Sequence, residues 1–387
     1  MPFNFFLFMY YDMHMTHTAA IFDVHDDCDV RLNYVKKVLE DNGYETDIYL
    51  PDFDHYAKKY RTSLKPGIHY LHILPYTSNF SYARIHSFSK FAHDCMETAR
   101  EKHYDLVYAI IPPNSMVREF SKLKENHPSM TLIYEIKDMW PETFPSRKLS
   151  KALALPFSFW RSIRNRTLDK GDILITECDL FQNILKKQTG IDRFHTIYLC
   201  NHQIITEPVV PAKPLNFVYL GSINHVIDIE RICSFMKAIN ALEPCHLDII
   251  GDGVNREEFL RLLDENKVNY TFHGLVFEED KKKEILSHCH YGLNTFKDTA
   301  CVGLTMKSLD YLAYDLPLIN TIHGDTEWIV EEENIGFNLD DIEKTALDIS
   351  SCSDTQYLNM KKNVIAVHKK YFSIDVFKHK LEDILPK

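Results

Sequence analysis

The sequence predicts an α/β protein built from two doubly wound, Rossmann-like domains. Short apolar runs alternate along the chain with amphipathic segments of helical period, which is the pattern of parallel sheets covered by helices. This series stops once and restarts, and the segment between the two halves is rich in proline. The length of 387 residues also exceeds what one ordinary core accommodates.

The first series begins with a strand at Ala19–Val24 and a helix at Val30–Asn42. Leu32, Val35 and Leu39 recur at helical spacing in that helix, and Gly43 is placed to end it. Four further strands are predicted at 45–50, 104–111, 131–136 and 172–176, with helices over 116–125 and 149–169. These elements form a complete doubly wound domain.

The second series follows a proline-rich linker and has the same alternation. Its strands are predicted at 216–220, 246–250, 270–273, 291–294, 316–320 and 335–338, with helices over 256–266 and 306–313 and a helical tail over 355–385. The predicted boundaries are an extension outside the fold (1–17), an N-terminal domain (18–205), a linker (206–215), a C-terminal domain (216–370) and a final helix (371–387). A return of that final helix onto the N-terminal domain is one expectation.

Composition excludes several classes of protein. The net charge of −11 argues against a nucleic-acid binder, since phosphate binding demands a basic face. The nine cysteines are scattered without a CxxC pair, which is typical of reduced thiols in a cytoplasmic protein. The apolar start at Met1–Tyr11 is about half the roughly 20 residues that a membrane-spanning helix needs. It is interpreted as an extension, with a weak membrane anchor as the alternative.

Two glycine turns in the second half are suited to bind a phosphate or a ribose. Gly221-Ser222 and Gly251-Asp252-Gly253 each follow a predicted strand, and the second turn directly precedes a predicted helix. Glycine lets the backbone approach a ligand closely, and a helix N-terminus offers unpaired N–H groups with partial positive charge. The alternative is structural, because any turn between a strand and a helix can require glycine.

The stretch Gly303–Ala313 contains the most informative pattern of the chain. Its glycine opens a predicted helix whose first N–H groups can bind a diphosphate. Lys307 lies one turn into the helix and can reach the same phosphates, and Asp310 in the next turn can accept ribose hydroxyls. The alternative is an ordinary amphipathic helix with a solvated lysine and aspartate.

These residues resemble the donor-site helix of the retaining GT-B glycosyltransferases of family 4. Gly303–Ile319 is similar to the pattern G-x-P-x-K-x-x-E-Y-x-A-x-G-x-P-V-I of that family. Glu135–Glu142 (EIKDMWPE) resembles a D-x-W-P-E segment of its bacterial surface-polysaccharide members. Similar pieces occur in the expected order at Phe217–Ile229, Leu247–Gly253 and Tyr270–Val276, within a resemblance that extends from Ala19 to Phe377.

The resemblance implies a GT-B fold and transfer of a sugar from a UDP-, GDP- or dTDP-sugar to an oligosaccharide or polyprenyl-diphosphate-linked acceptor. It implies retention of the anomeric configuration and no metal or other cofactor. Asp138 and Lys307 are the expected catalytic residues. The expected donor-binding residues are Gly221, Ser222, Gly253, Gly274, Leu275, Val276, Lys297, Gly303, Leu304, Thr305 and Asp310, and the expected acceptor contacts are His25, Asp29, Arg31 and Trp140.

The sequence also departs from the family pattern. Val302 stands where the family has the first glutamate of its donor helix, and Asp310 replaces the second. The loop 221–230 lacks the basic pair that is common in the family. An unusual donor sugar, such as a deoxy sugar or a furanose, is one reading. The alternatives are a nucleotide-sugar epimerase or hydrolase of the same fold, and a non-catalytic accessory subunit.

A basic segment at 147–170 contrasts with the acidic chain. Arg161, Arg164 and Arg166 alternate there with apolar residues such as Phe159 and Trp160. Such a helix suits an anionic membrane surface and a lipid-diphosphate acceptor, so a cytoplasmic protein with peripheral contact to the cell membrane is expected. The alternative is an exposed basic helix whose aromatic side chains face the core.

Overall fold

The structure, a computed structural model, describes residues 17–25, 30–144, 152–205 and 207–386. The strands of the first half are β1 (His17–Phe22), β2 (Tyr44–Pro51), β3 (Phe53–Asp54), β4 (Lys59–Tyr60), β5 (His69–Leu71), β6 (Leu106–Ile111), β7 (Thr131–Ile136), β8 (Ile173–Thr176) and β9 (Phe194–Thr196). Its helices are α1 (Val30–Asp41), α2 (Tyr82–Lys102), α3 (Asn114–Asn126), α4 (Ala154–Asn165) and α5 (Asp179–Thr189), with a 3-10 turn at Leu168–Lys170.

The second half repeats the alternation. Its strands are β10 (Leu215–Leu220), β11 (Cys245–Ile250), β12 (Tyr270–Gly274), β13 (Tyr291–Asn294), β14 (Leu318–Asn320) and β15 (Gly336–Asn338). Its helices are α6 (Ile229–Leu242), α7 (Arg256–Glu265), α8 (Glu279–Ser287), α9 (Met306–Ala313), α10 (Asp325–Glu332), α11 (Ile342–Ser350) and α12 (Asp354–Val367), followed by a π-helical turn at His368–Phe372 and α13 (Ile374–Glu382).

Each half forms one parallel sheet. The strand order is β5-β2-β1-β6-β7-β8-β9 in the N-terminal domain and β12-β11-β10-β13-β14-β15 in the C-terminal domain. In both sheets the order reverses beside the first strand, and ligands bind beyond the carboxyl ends of the strands at such a reversal. The central strand β6 is buried along its whole length, which explains its continuous apolar sequence.

The chain crosses back to the N-terminal domain at its end. Phe377 and Leu381 of α13 pack in one apolar cluster with Leu32 and Val35 of α1. The Arg31 guanidinium carbon lies 4.7 Å from the ring centroid of Phe377. The expected return of the final helix is therefore confirmed, and it ties the two domains together outside the linker.

Several elements were not expected from the sequence. The 21-residue helix α2 has an apolar face interrupted by Ser87, which is buried because its hydroxyl donates to the Leu74 carbonyl at 2.6 Å. The expected helix over 149–169 is described from residue 152 and contains α4, which ends at Asn165. The predicted extension lies outside the described residues except for His17, which is the first residue of β1. No helix in the described part of the chain is long and apolar enough to span a membrane.

Candidate active site

The carboxyl ends of the two sheets enclose a cavity of about 320 Å³ between the domains. Asp138 and Glu177 of the N-terminal domain line one side of this cavity, and Val302 and Leu304 of the C-terminal domain line the other. A second cavity of about 530 Å³ also contacts Asp138 and Glu177, and it extends to His25. The two cavities together form the interdomain cleft that the fold predicts.

Helix α9 begins at the cleft with open N–H groups. The Thr305 hydroxyl accepts the N–H of Ser308 at 3.1 Å and so caps the helix. The N–H groups of Met306 and Lys307 lie between the capping residue Thr305 and Ser308, and they have no partner within the helix. Met306 itself lines the larger cavity. The start of α9 therefore presents N–H groups and the positive end of the helix dipole toward the cleft.

Lys307 lies under the glycine turn that follows β10. Its side chain is only 9% exposed, and its Nζ atom lies 4.1 Å from the ring centroid of Tyr219 and 4.9 Å from that of Phe296. No residue that the structure describes accepts a hydrogen bond from this nitrogen. Burial lowers the pKa of Lys307 to about 7. A buried amino group without an anionic partner is suited to bind an anion that arrives with a ligand.

Three glycines hold the neighbouring turns together. Gly221 has a φ of +123°, and a Cβ atom there would lie 3.3 Å from Cε of Lys307. A Cβ atom on Gly251 would lie 1.9 Å from the Gly221 carbonyl oxygen, and one on Gly253 would lie 2.4 Å from the Ile223 oxygen. Gly251 and Gly253 are thus required for the close packing of the two turns, as the structural alternative in the sequence analysis proposes. Donor contact by Gly221 and Gly253 stays a prediction. Ser222 is exposed in the same turn.

Asp310 occupies the second turn of α9. Burial raises the pKa of its carboxyl to about 6, with Lys282 lowering it and Glu279 raising it from the adjacent helix α8. Glu279 itself accepts a hydrogen bond from the Tyr314 hydroxyl. Asp310 is therefore a half-buried acid close to a second acid. Its contact with a ribose stays a prediction.

Gly303 lies at the contact between the domains. A Cβ atom there would be 2.6 Å from Oδ2 of Asp325 and 2.9 Å from Sγ of Cys178. Its carbonyl accepts the Thr326 N–H at 3.0 Å and the Thr326 hydroxyl at 2.6 Å. The absence of a side chain therefore lets the two domains approach, which is a requirement that the sequence did not reveal. The predicted phosphate contact of Gly303 stays a prediction.

The remaining predicted donor contacts lie on loops at the same edge of the C-terminal sheet. Gly274 has a φ of +66°, Leu275 is exposed, and the side chain of Val276 is buried in the core. Only backbone groups of Val276 are therefore available to a nucleotide base. Lys297 is exposed after β13, and its N–H donates to the Val226 carbonyl at 2.8 Å.

Asp138 is placed by the end of β7. Its N–H donates to the Ile111 carbonyl at 3.2 Å, and its Oδ1 accepts the Thr143 hydroxyl at 2.7 Å. Burial raises the pKa of Asp138, and the hydrogen bonds from Thr143 and Met139 oppose that rise. The carboxyl group faces both parts of the cleft from a fixed position, as a reacting or orienting group must.

The expected acceptor residues have different surroundings. His25 lines the larger cavity, and its pKa lies well below the usual value because of burial and the positive charges of neighbours that include Lys137 and Arg84. Trp140 is half-buried beside the cleft. Asp29 lies outside the described residues.

Arg31 is held in the interior. It pairs with Glu135, and its Nη1 and Nη2 atoms donate to the Tyr198 and Ile197 carbonyls at 2.9 and 3.0 Å. The Tyr108 hydroxyl completes the network by donating to Glu135 at 2.6 Å. This network explains the conformation of Arg31 without an acceptor, although the side chain also lines the larger cavity. Its contact with an acceptor stays a prediction.

Glu177 is a cleft residue that the sequence analysis did not single out. It follows β8 and lines both cavities, and its Oε1 atom is buried without a hydrogen-bond partner among the described residues. Burial raises its pKa to about 8, although Arg31 and Lys137 lower it. The signal that could have found it is its position: Asp138 and Glu177 both follow parallel strands of one sheet, and such residues meet at one edge.

The basic helix α4 matches neither the expected basic surface that faces a membrane nor the alternative in which its aromatic side chains face the core. Arg164 is fully buried and pairs with Glu142 at 2.8 Å, and Arg161 binds the same carboxylate at 2.9 Å. Leu155 and Phe159 are instead 85% and 65% exposed. Arg164 thus faces the interior and Arg161 is partly exposed, while the apolar side chains of Leu155 and Phe159 face solvent. Arg147, Lys148 and Lys151 lie outside the described residues.

Comparison with known proteins identifies the type of domain that carries this site. Residues 214–354 match the family "Glycosyl transferases group 1". No curated protein sequence matches the chain. The predicted resemblance is confirmed by the family match, which covers the C-terminal domain and contains all the expected donor-binding residues and Lys307.

Solved structures confirm the two-domain GT-B fold. The Anabaena protein HepE in complex with UDP and glucose is 14% identical, with a TM-score of 0.64 over 95% of this chain and 98% of its own. The lipopolysaccharide outer core galactosyltransferase WaaB is 12% identical, with a TM-score of 0.65 over 95% of this chain and 100% of its own. The N-terminal domain of Candida albicans trehalose-6-phosphate phosphatase is 10% identical, with a TM-score of 0.68 over 95% of this chain and 96% of its own.

Proposed function

Because residues 214–354 match the group 1 glycosyl transferases and the fold is GT-B, we propose that this chain transfers a sugar from a nucleoside diphosphate to an acceptor bound in the interdomain cleft. The observation that carries the proposal is the cavity that Asp138 shares with Val302 and Leu304. It joins the expected reacting group of one domain to the donor loop of the other. UDP-sugars are the first donors to test, since the similar HepE structure contains UDP and glucose.

The leaving diphosphate would be stabilised at the start of α9. The Lys307 side chain lies beside the Gly221 turn, and the open N–H groups of Met306 and Lys307 begin the same helix. Positive groups fixed before the reaction stabilise the charge that develops as the glycosidic bond breaks, without reorganisation. Among the described residues, no group of three or more His, Cys, Asp or Glu side chains is placed to hold a metal ion. We propose that the protein itself neutralises the charge of the leaving diphosphate, without a metal ion.

Asp138 would act on the sugar and the acceptor. It lies opposite the donor loop, and its hydrogen bond to Thr143 fixes its orientation. The role is that of a base for the acceptor hydroxyl or of an orienting group. Retention of the donor anomer follows from the family resemblance and is part of the proposal.

Val302 narrows the choice of donor. It lines the cavity with Leu304, at the position where the resembling family has a glutamate that binds sugar hydroxyls. An apolar wall leaves a hydroxyl without a partner there, and an unpaired buried hydroxyl costs binding free energy. This favours a sugar that lacks a hydroxyl on that side, such as a deoxy sugar.

The acceptor is proposed to be an oligosaccharide that is linked to a polyprenyl diphosphate, in the synthesis of a surface polysaccharide. The apolar side chains exposed on α4 support a protein that works at the cytoplasmic face of a membrane without spanning it. The pairing of Arg161 and Arg164 with Glu142 moves the expected membrane contact from these charges to the exposed apolar residues.

A donor panel with a matched pair of variants tests the transfer reaction. UDP-, GDP- and dTDP-sugars are screened by thermal shift, since a bound donor stabilises the folded state by RT ln(1 + [L]/Kd). Asp138→Asn should keep the thermal shift and lose roughly 100-fold or more of turnover. Asp94→Asn, in an exposed pair with Lys90 on α2, is the control and should keep both. Absence of any donor shift, or full turnover by Asp138→Asn, would contradict the proposal.

The product decides between the remaining alternatives. Transfer to an added acceptor, with the donor anomer retained in the proton NMR spectrum of the product, supports a transferase. Release of free sugar or an epimerised nucleotide sugar at the same rate with and without acceptor would instead support the hydrolase or epimerase reading.

A further inference from the structure

An apolar trough lies beside the cleft in the N-terminal domain. Helix α4 provides Phe157 and Trp160, helix α2 provides Ile85 and Phe88, and Trp140 lies between them. The enclosed volume is about 140 Å³. The lining is mainly hydrocarbon and aromatic, which is the environment that an apolar chain enters favourably from water.

The two helices that form the trough also expose apolar side chains to solvent. Leu155 and Phe159 are exposed on α4, and Tyr82 is 81% exposed at the start of α2. Arg164 is buried against Glu142, and the partly exposed Arg161 binds the same carboxylate. Exposed apolar groups on the helices that form an apolar cavity are typical of a surface that binds a partner.

The trough is continuous with the cleft. Pro112 lines both the trough and the larger cleft cavity. Trp140 lines the trough two residues after Asp138, which lines the cleft. A molecule with its chain in the trough would therefore extend its other end toward the expected reacting group.

Positive charge lies at this junction. Arg84 lines the trough, and its Nη1 atom donates to the Asn79 carbonyl at 2.8 Å. Its Nε atom is buried and has no acceptor among the described residues. The charge of Arg84 acts on Asp138 and on His55, so the guanidinium lies between the trough and the cleft.

A helix N-terminus adds to that charge. Helix α3 begins after Pro113, which also lines the trough, and the structure gives it no side-chain cap. The Met116 N–H already donates to the Pro113 carbonyl, but the positive end of the helix dipole still adds to the potential at the same junction.

We propose that the trough binds the prenyl chain of a polyprenyl diphosphate acceptor, with the diphosphate at Arg84. The inference rests on the proposed transfer reaction, since it assigns a place to the lipid of that acceptor. The chemistry of the site matches the order of groups in such a molecule: hydrocarbon, then anion, then the glycan that must reach Asp138. A single trough between two helices accommodates one chain, which favours a prenyl lipid over a diacyl lipid.

Tryptophan fluorescence gives a direct measurement. The chain has three tryptophans, of which Trp140 and Trp160 line the trough, and Trp328 lies on α10 in the other domain. In a Trp328→Phe background all emission therefore comes from the trough. Farnesyl diphosphate should change this emission saturably, and inorganic diphosphate at the same concentration should not.

Two variants and one control test the assignment. Ile85→Glu places a charge in the trough and should weaken farnesyl diphosphate binding at least tenfold, while UDP-sugar binding is unchanged. Arg84→Gln should weaken binding of farnesyl diphosphate but not of farnesol. Leu347→Glu, at an exposed apolar position on α11, is the control and should have no effect.

The outcomes separate the two proposals. Binding of farnesyl diphosphate that Ile85→Glu does not weaken, or equal binding of dioleoyl phosphatidate, would overturn the trough assignment. If UDP-sugars bind and farnesyl diphosphate does not, the trough assignment is wrong and the proposed transfer reaction stands. If no nucleotide sugar binds to the folded protein, the transfer reaction itself fails.

Discussion

The carboxylate of Asp325 in the C-terminal domain accepts the backbone N–H of Leu180 in the N-terminal domain, with an Oδ2···N distance of 2.9 Å. Its other oxygen accepts the Asp179 N–H at 2.7 Å and the Tyr198 hydroxyl at 3.0 Å. One side chain thus caps helix α5 across the domain boundary. Because Asp325 also contacts the position of Gly303, this cap holds the donor loop against the N-terminal domain.

Asp325→Ala should destabilise the closed arrangement of the domains. It leaves the N–H groups of Asp179 and Leu180 without an acceptor and leaves the Tyr198 hydroxyl only the more distant Asp179 carboxylate, which costs about 1–3 kcal/mol. We expect a lower midpoint in urea and a larger radius of gyration in small-angle scattering. Asp228→Ala, which removes a cap within the C-terminal domain, should lower stability without changing the radius. Equal radii for the two variants would contradict the interdomain role.

Donor binding should consume a proton at Lys307. Its pKa of about 7 in the free protein must rise when the diphosphate binds, because an anion stabilises the charged amine. Above pH 7 the free amine is increasingly neutral, so the dissociation constant for UDP should increase up to about tenfold per pH unit. Calorimetry between pH 7 and 9, in buffers of different ionisation enthalpy, measures the proton uptake. Lys307→Met should bind UDP weakly and without this pH dependence, and an unchanged dependence would exclude the assignment.

Glu177→Gln should become more stable relative to the parent protein as pH rises from about 4.5 toward 8. The parent carboxyl has a pKa of about 8 and is therefore mainly neutral at pH 7, as glutamine is. A pKa above that of the unfolded chain means that the group's contribution to stability is lost as pH rises toward 8. The melting temperature of the parent should therefore fall relative to that of the variant between pH 5 and 9. If the curves of melting temperature against pH were parallel for the parent and the variant, Glu177 would ionise as an ordinary glutamate does.

Gly251→Ala should be much more costly than Gly43→Ala. Both glycines have positive φ values, +141° and +86°. A Cβ atom on Gly251 would overlap the Gly221 carbonyl, whereas no atom lies within 4 Å of one on Gly43. We expect a loss of about 1–2 kcal/mol at Gly43 from backbone strain and about 3 kcal/mol or more at Gly251. Chemical denaturation compares them, and similar losses would mean that the turn adjusts to a side chain.

Glu142→Ala should lower stability by about 3–5 kcal/mol, because it leaves the buried charge of Arg164 without its anionic partner and with only neutral acceptors such as Asn165 and Gln188. Burial alone would raise the pKa of Glu142, but Arg164 lowers it overall. The parent should accordingly lose this stabilisation as pH falls below the ordinary glutamate range. Glu258→Ala, which breaks an exposed pair with Arg261, is the control and should lower stability much less, because solvent screens an exposed pair. Equal losses of stability in Glu142→Ala and Glu258→Ala would indicate that Arg164 is exposed to solvent.

Local sequence patterns explain why much of the fold could be predicted. Strands such as β6 and β10 are apolar because both faces of a parallel sheet are buried, and Gly43 marks the end of a helix by local backbone geometry. Helix α2 could not be predicted in the same way. Its buried face includes Ser87, whose hydroxyl is satisfied by the Leu74 carbonyl, which is a tertiary contact.

The sequence by itself determined the two parallel sheets and the donor helix with its lysine. The spacing of apolar residues, the turn residues and a short motif are local properties of the chain. Only the tertiary structure decided what those residues contact. It packed Lys307 against two aromatic rings, placed Glu177 beside Asp138, turned Arg164 inward and brought Gly303 against Asp325. These relations depend on burial and on distances between segments far apart in the chain, so they arise only when the two sheets and the final helix are assembled.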